Sequence, residues 1–192
     1  AEGSLGVILG DISGHGIGPA LLTAETRAYF RALSRTSSDV GQVTTIVNRL
    51  LWDDVIGGRF ATLFFARLDP TIRSLKYASA GHPAYLVHRS GQITVLDSQT
   101  PPLGMFGDLV IPTSAPVSLA AEDVLLLASD GLFDTAAPDG THLGRERCLR
   151  LVVEHCESPV ETIVDELLQA TRVFAQGMPL HDDLTIVIAK VK

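Results

Sequence analysis

The chain has 192 residues, 46% hydrophobic and 19% charged, with a formal net charge of −7. That composition belongs to a folded globular protein and not to a disordered one, and the length suits one ordinary domain with a substantial core. An acidic balance without a Lys/Arg cluster argues against a nucleic-acid surface, no apolar run approaches the roughly 20 residues of a membrane span, and AEGSLG at the start lacks the flank and cleavage pattern of a signal peptide.

No nucleic-acid partner and no membrane are therefore expected, and the setting is expected to be cytoplasmic. In chain order, the run LGVILG at residues 5–10 reads as a strand. A glycine-rich loop follows, and Pro19 suits the first turn of a helix on which Leu21, Leu22, Ala28, Tyr29, Ala32 and Leu33 fall near one face. A second helix is expected over 38–55, where Val40, Val43, Ile46, Val47, Leu50 and Leu51 recur at spacings of three and four, with Ser38 and Asp39 as caps. Its apolar face, Trp52 included, is expected to be core.

From Arg59 the period changes to that of strands. RFATLFFARLD, SLKYASAG, AYLVHR and ITVLD are separated by turns at DPTIR and SGQ, and read as an antiparallel meander. A Pro/Gly loop at 98–108 precedes two more expected strands, in LVIPTSAPVSL and DVLLLASD; helices near 145–155 and 159–176 and a closing strand LTIVIAKVK complete the chain. Runs segregated in this way predict an α+β fold with mainly antiparallel sheets covered by helices, and not a doubly wound one. No repeat, low-complexity segment or linker interrupts the pattern, so one domain is expected over 1–192. Cys148 and Cys156, eight positions apart in an expected helix, would be about 12 Å apart along its axis, too far for a disulfide. They read as buried thiols.

Three times an acidic residue stands where an apolar strand meets a polar loop: Asp11, Asp130, and Asp182 with Asp183. Singly, each reads as a turn or cap residue. Together at one rim they would repel unless a cation bound them, and carboxylates without neighbouring Lys or Arg suit a hard divalent ion, Mn²⁺ or Mg²⁺, better than zinc. Gly10 would permit close packing behind Asp11, and Gly14, Gly16 and Gly18 would let the loop turn left-handed and bring backbone carbonyls near a metal or phosphate.

GDISGHG at 10–16, FATLFFARLD at 60–69, YASAGHPAYLV at 77–87, TPPLGM at 100–105, LLLASDGLFD at 125–134 and HDDLTIVIAKV at 181–191 resemble, in order, the motifs of metal-dependent serine/threonine protein phosphatases. The resemblance is to the PPM, or type 2C, family in its bacterial SpoIIE- and RsbU-like branch. It implies a sandwich of two antiparallel sheets flanked by pairs of helices, with two Mn²⁺ or Mg²⁺ ions at one end. Asp11 would bridge the ions, the carbonyl of Ile12 would bind one, and Asp130 and Asp182 would hold the other. Asp183 would touch a metal through water or start its strand. The implied reaction is hydrolysis of phosphoserine or phosphothreonine by a metal-activated water, on a signalling phosphoprotein such as an anti-sigma-factor antagonist, with a sensor or receiver domain upstream.

Family members carry an acidic Gly-Gly-Asp-x-x-Asp motif on a strand before the one ending in Asp11, and this sequence does not contain it. The resemblance therefore implies a missing N-terminal strand, one incomplete metal site and a weak or inactive catalyst. A catalytically impaired, phosphatase-like interaction module is the alternative. Asp134 reads as a turn or cap residue, His15 as ordering its loop, and His82 as fixing a strand end. His181 would assist proton transfer or lie at the surface. The Asp-x-His and Asn-His-Glu of calcineurin-like enzymes are absent.

Overall fold

The computed structural model describes residues 3–54, 58–180 and 182–192, so His181 lies outside the described residues. The order of elements is β1 (Leu5–Ile12), α1 (Ile17–Leu33), α2 (Val40–Asp54), β2 (Ala61–Asp69), β3 (Ser74–Ala80), β4 (Ala84–Val87), β5 (Ile93–Leu96), β6 (Val117–Ser118), β7 (Val124–Ala128), α3 (Asp130–Phe133), α4 (Arg145–Glu154), α5 (Val160–Ala175) and β8 (Ile186–Lys190). The α+β class with antiparallel sheets is as the sequence pattern predicts, and the presence of two such sheets is as the resemblance implies. The chain divides into two compact units, Ala1–Pro83 with Asp97–Leu119, and Ala84–Leu96 with Ala120–Lys192.

In the first unit the sheet runs β1-β2-β3-β6. The β1–β2 register, Leu5 opposite Leu68 through Asp11 opposite Thr62 to Ile12 opposite Ala61, separates two faces. Val7 and Leu9 are buried on one; Gly6, Ile8, Gly10 and Ile12 face α1 on the other and line a cavity of about 420 Å³, where two glycines contribute no side chain. Beneath α2, Val40, Val43, Val47 and Leu51 join Leu63, Phe65 and Ala78 in the core, each large side chain stabilising the unit by roughly 1.5–3 kcal/mol. Asp39 caps α2, its Oδ1 accepting the amide of Gln42 at 3.0 Å and the Thr113 hydroxyl at 2.5 Å; these bonds, Thr113 first, hold its carboxyl below the usual aspartate range. Buried Asn48 ties α2 to the Pro/Gly loop, donating to the carbonyl of Phe106 (2.8 Å) and accepting from the amide of Gly104 (3.0 Å).

Four expectations need correction here. The buried stripe of α1 is Pro19, Leu22, Thr26 and Phe30, whereas Leu21 is 61% exposed, because the sheet meets the helix about one position away from the phase that its leucines suggest. Gly18 is helical, and of the loop glycines only Gly14 and Gly16 have positive φ, 93° and 94°. Trp52 is 50% exposed, set against Gly107, where a Cβ would come within 2.7 Å of its ring. Residues 109–119 yield only the two-residue β6, since Pro112 and Pro116 have no N–H for a ladder. Ser114 substitutes, its amide donating to the Tyr77 carbonyl at 2.8 Å and its Oγ accepting the Tyr77 amide at 3.0 Å.

In the second unit the sheet runs β5-β4-β7-β8. Central β7 is buried throughout. Its core joins Tyr85, Val87, Leu126, Phe133, Cys148 and Leu167, and α5 buries Ile163, Leu167, Thr171 and Ala175 at a four-residue spacing. Both cysteines are free and buried.

Candidate active site

Asp11 and Ile12 end β1, opposite Thr62 and Ala61. The ladder is closed one residue later: the amide of Ser13 donates to the carbonyl of Phe60 at 2.9 Å, and the Ser13 hydroxyl accepts the amide of Phe60 at 2.9 Å. Beyond this clasp the chain turns through Gly14 and Gly16, whose positive φ disfavours a side chain, and enters α1 without a side-chain cap or an acidic residue in its first turn. Asp11 and His15 are both exposed. Behind Asp11, a Cβ at Gly10 would lie 3.2 Å from Leu63 Cδ1 and 3.3 Å from the Thr62 carbonyl oxygen, so the close packing expected there is present.

In the second unit Asp130 begins α3 one residue after the Ser129 that follows β7. Ser129 makes three bonds to the segment leading into β8. Its amide donates to the Thr185 carbonyl (3.0 Å), its hydroxyl donates to the Asp183 carbonyl (2.8 Å), and the same Oγ accepts the Thr185 amide (2.9 Å). Gly131 completes the lock: a Cβ there would stand 2.4 Å from the Asp183 carbonyl oxygen, so only glycine lets the start of α3 lie on the backbone of 182–183. Asp130, Asp182 and Asp183 are thus brought to one end of the β7–β8 pair, with all three side chains exposed. None of the three has an ion pair among the described residues, and Asp182 Oδ1 accepts the following amide of Asp183 at 2.8 Å.

Asp134 closes α3, its amide donating to the Asp130 carbonyl at 2.8 Å, and its carboxylate lies 3.6 Å from His142 Nδ1; its place is that of a turn residue. His82 is buried at 4% exposure just after β3. The Cys148 thiol is pushed up to about 11 by burial, which keeps it protonated at neutral pH and unsuited to nucleophilic attack.

The exposed side chains at the two strand ends offer carboxylate oxygens, the ligand type of a hard divalent ion. Among the described residues no group of three His, Cys, Asp or Glu that could hold a metal ion is found. Asp130 and Asp182 stand out in the sequence as strand-end acids, whereas the supporting Ser129, Gly131 and Thr62 do not. The signal was present in SDG, where a serine and a glycine flank the acid, but their long-range partners become visible only once the strands are paired.

The family model of stage II sporulation protein E (SpoIIE) matches residues 1–192. The phosphoserine phosphatases RsbP and RsbU of Bacillus subtilis (strain 168) are each 28% identical to the chain, covering 100% and 98% of it and 47% and 56% of their own lengths. The chain spans about half the length of these two relatives. The SiaA-PP2C domain of Pseudomonas aeruginosa superposes with a TM-score of 0.85 at 20% identity, over 99% of this chain and 81% of that one. RsbX in complex with magnesium superposes at 0.72 and 16% identity, over 100% and 83%. These two likenesses are of fold.

Proposed function

The chain belongs to the SpoIIE family, and from that membership we propose that it is a metal-dependent protein serine/threonine phosphatase acting on a bacterial signalling phosphoprotein, of the kind of an anti-sigma-factor antagonist. The relatives named as phosphoserine phosphatases support the reaction class, and RsbX with magnesium supports the ion class. The full protein would carry a sensor or receiver domain upstream. Its setting would be cytoplasmic; among the described residues no helix is long and apolar enough to cross a membrane.

In this reading Asp11, Asp130 and Asp182 would hold Mn²⁺ or Mg²⁺ with the Ile12 carbonyl, and Asp183 would contribute through water. Ions held there would supply a water nucleophile at neutral pH and would neutralise charge on the phosphoryl oxygens. The protein would keep its carboxylates in place while the water oxygen bonds to phosphorus, the P–O bond to the serine oxygen breaks, a water proton passes to that serine oxygen and inorganic phosphate leaves. Ser129 and Gly131 hold the Asp130 and Asp182–Asp183 segments together, and the β1–β2 ladder with its Ser13 clasp holds Asp11. The observation that carries the reading is this lock at Ser129–Gly131, which brings three acidic residues to one strand end without a cationic partner.

One observation favours the second reading, a phosphatase-like interaction module: among the described residues no group of three His, Cys, Asp or Glu is placed so that it could hold a metal ion. Phosphate release from a phosphoserine protein separates the two. We expect release in Mn²⁺, its loss on chelation with EDTA, and its return when Mn²⁺ is restored. A folded protein that releases no phosphate in Mn²⁺ would favour the module.

A further inference from the structure

Three residues of the first unit stand in a row on the sheet face opposite α1. Asp11 and Thr62 are register partners across β1 and β2, and directly opposed residues of an antiparallel pair share a face with Cβ atoms about 4.5–5.5 Å apart. On the far side of Thr62, its Oγ1 lies 3.4 Å from Nδ1 of His82, a ring that is buried. The backbone that delivers His82 is held on both sides. The Ser79 hydroxyl donates to the His82 carbonyl, the Gly81 amide donates to the Thr100 carbonyl at 3.0 Å, and Leu63 bridges to Gly81. Gly81, at φ +73°, has room for no side chain, since a Cβ would meet Pro102 Cγ at 2.8 Å and Thr62 Cγ2 at 3.2 Å. The fold thus spends a left-handed glycine to press the histidine segment against Thr62.

We infer that Thr62 and His82 are positioning residues for the Asp11 carboxylate, a hydrogen-bond relay that fixes its orientation; the inference rests on the phosphatase reading above. A threonine has one hydroxyl proton and can accept at the same oxygen. With the proton of His82 on Nδ1, that nitrogen donates to Thr62 Oγ1 and leaves the Thr62 hydroxyl free to donate to a carboxylate oxygen. The opposite tautomer would take the hydroxyl proton and turn lone pairs toward Asp11, so the relay specifies Nδ1–H. Outer partners of this kind orient ligating carboxylates, and their loss typically costs 10- to 100-fold in metal affinity.

The test is Mn²⁺ affinity, read from the electron paramagnetic resonance signal of free Mn²⁺, together with kcat and KM on a phosphoserine protein. Thr62→Val keeps the β-branched shape and removes the hydroxyl; it should weaken Mn²⁺ binding about tenfold and lower kcat with little change in KM. Thr62→Ser restores the hydroxyl and should stay close to wild type. His82→Asn, which retains a donor near the Nδ1 position, should bind Mn²⁺ more tightly than His82→Ala. Wild-type Mn²⁺ affinity and kcat in Thr62→Val, with Asp11→Asn defective in both, would overturn the relay alone. Wild-type affinity and turnover in Asp11→Asn would overturn the role of Asp11 and the relay with it, whereas a folded wild-type protein that releases no phosphate in Mn²⁺ would overturn the phosphatase reading.

Discussion

Asp11 stands at the end of a strand flanked by glycines, before a loop that enters its helix uncapped, whereas Asp130 stands in a turn whose neighbours are bonded across the sheet. At the first place the backbone is fixed up to Ser13 and then depends on two positive-φ glycines. At the second, Ser129 makes three bonds and Gly131 lies on the backbone of 182–183. Both ends present exposed acids, but one is held by strand register and conformational permission, the other by close contact. Substitutions at the second should therefore disturb stability and the acids together, and substitutions at the first should be milder.

Gly131→Ala is the sharpest way to break this contrast. Its methyl group would be driven into the Asp183 carbonyl at 2.4 Å, and since backbone cannot rotate away the loss should reach about 3 kcal/mol, seen as a lower urea midpoint with phosphate release abolished. Ser129→Ala should cost about 2 kcal/mol, because the Asp183 carbonyl and the Thr185 amide lose a partner; an unchanged midpoint would remove the lock from the account. At the other end Gly14→Ala, at φ +93°, should cost only about 1–2 kcal/mol, with Mn²⁺ binding largely kept. A larger loss there than at Gly131 would reverse the comparison.

The periodic segments were legible because burial follows period. The four-residue spacing in α5 and the unbroken apolar run of β7 each had one sensible reading. The phase of α1 was not, because Leu21 and Leu22 compete for the same face and only the position of the sheet decides between them. The strand expected over 109–119 shortens to β6 because the effect of Pro112 and Pro116 depends on whether a ladder partner needs their N–H. In the candidate site the acids were visible as strand-end carboxylates, but their supports were not. Ser129 bonds residues 54 and 56 positions away, and Thr62 meets His82 across 20, so local pattern shows the serine and glycine of SDG but not the partners of either support.

The measurement closest to the central claim is the initial rate of phosphate release from a phosphoserine protein in Mn²⁺, for wild type, Asp11→Asn and Asp130→Asn side by side, with thermal midpoints recorded for each. Under the proposed function both carboxylates would hold ions that stabilise the transition state, so each variant should lose at least about 100-fold in rate with its midpoint near wild type. Release within twofold of wild type from either folded variant would contradict the assignment of that acid to the site.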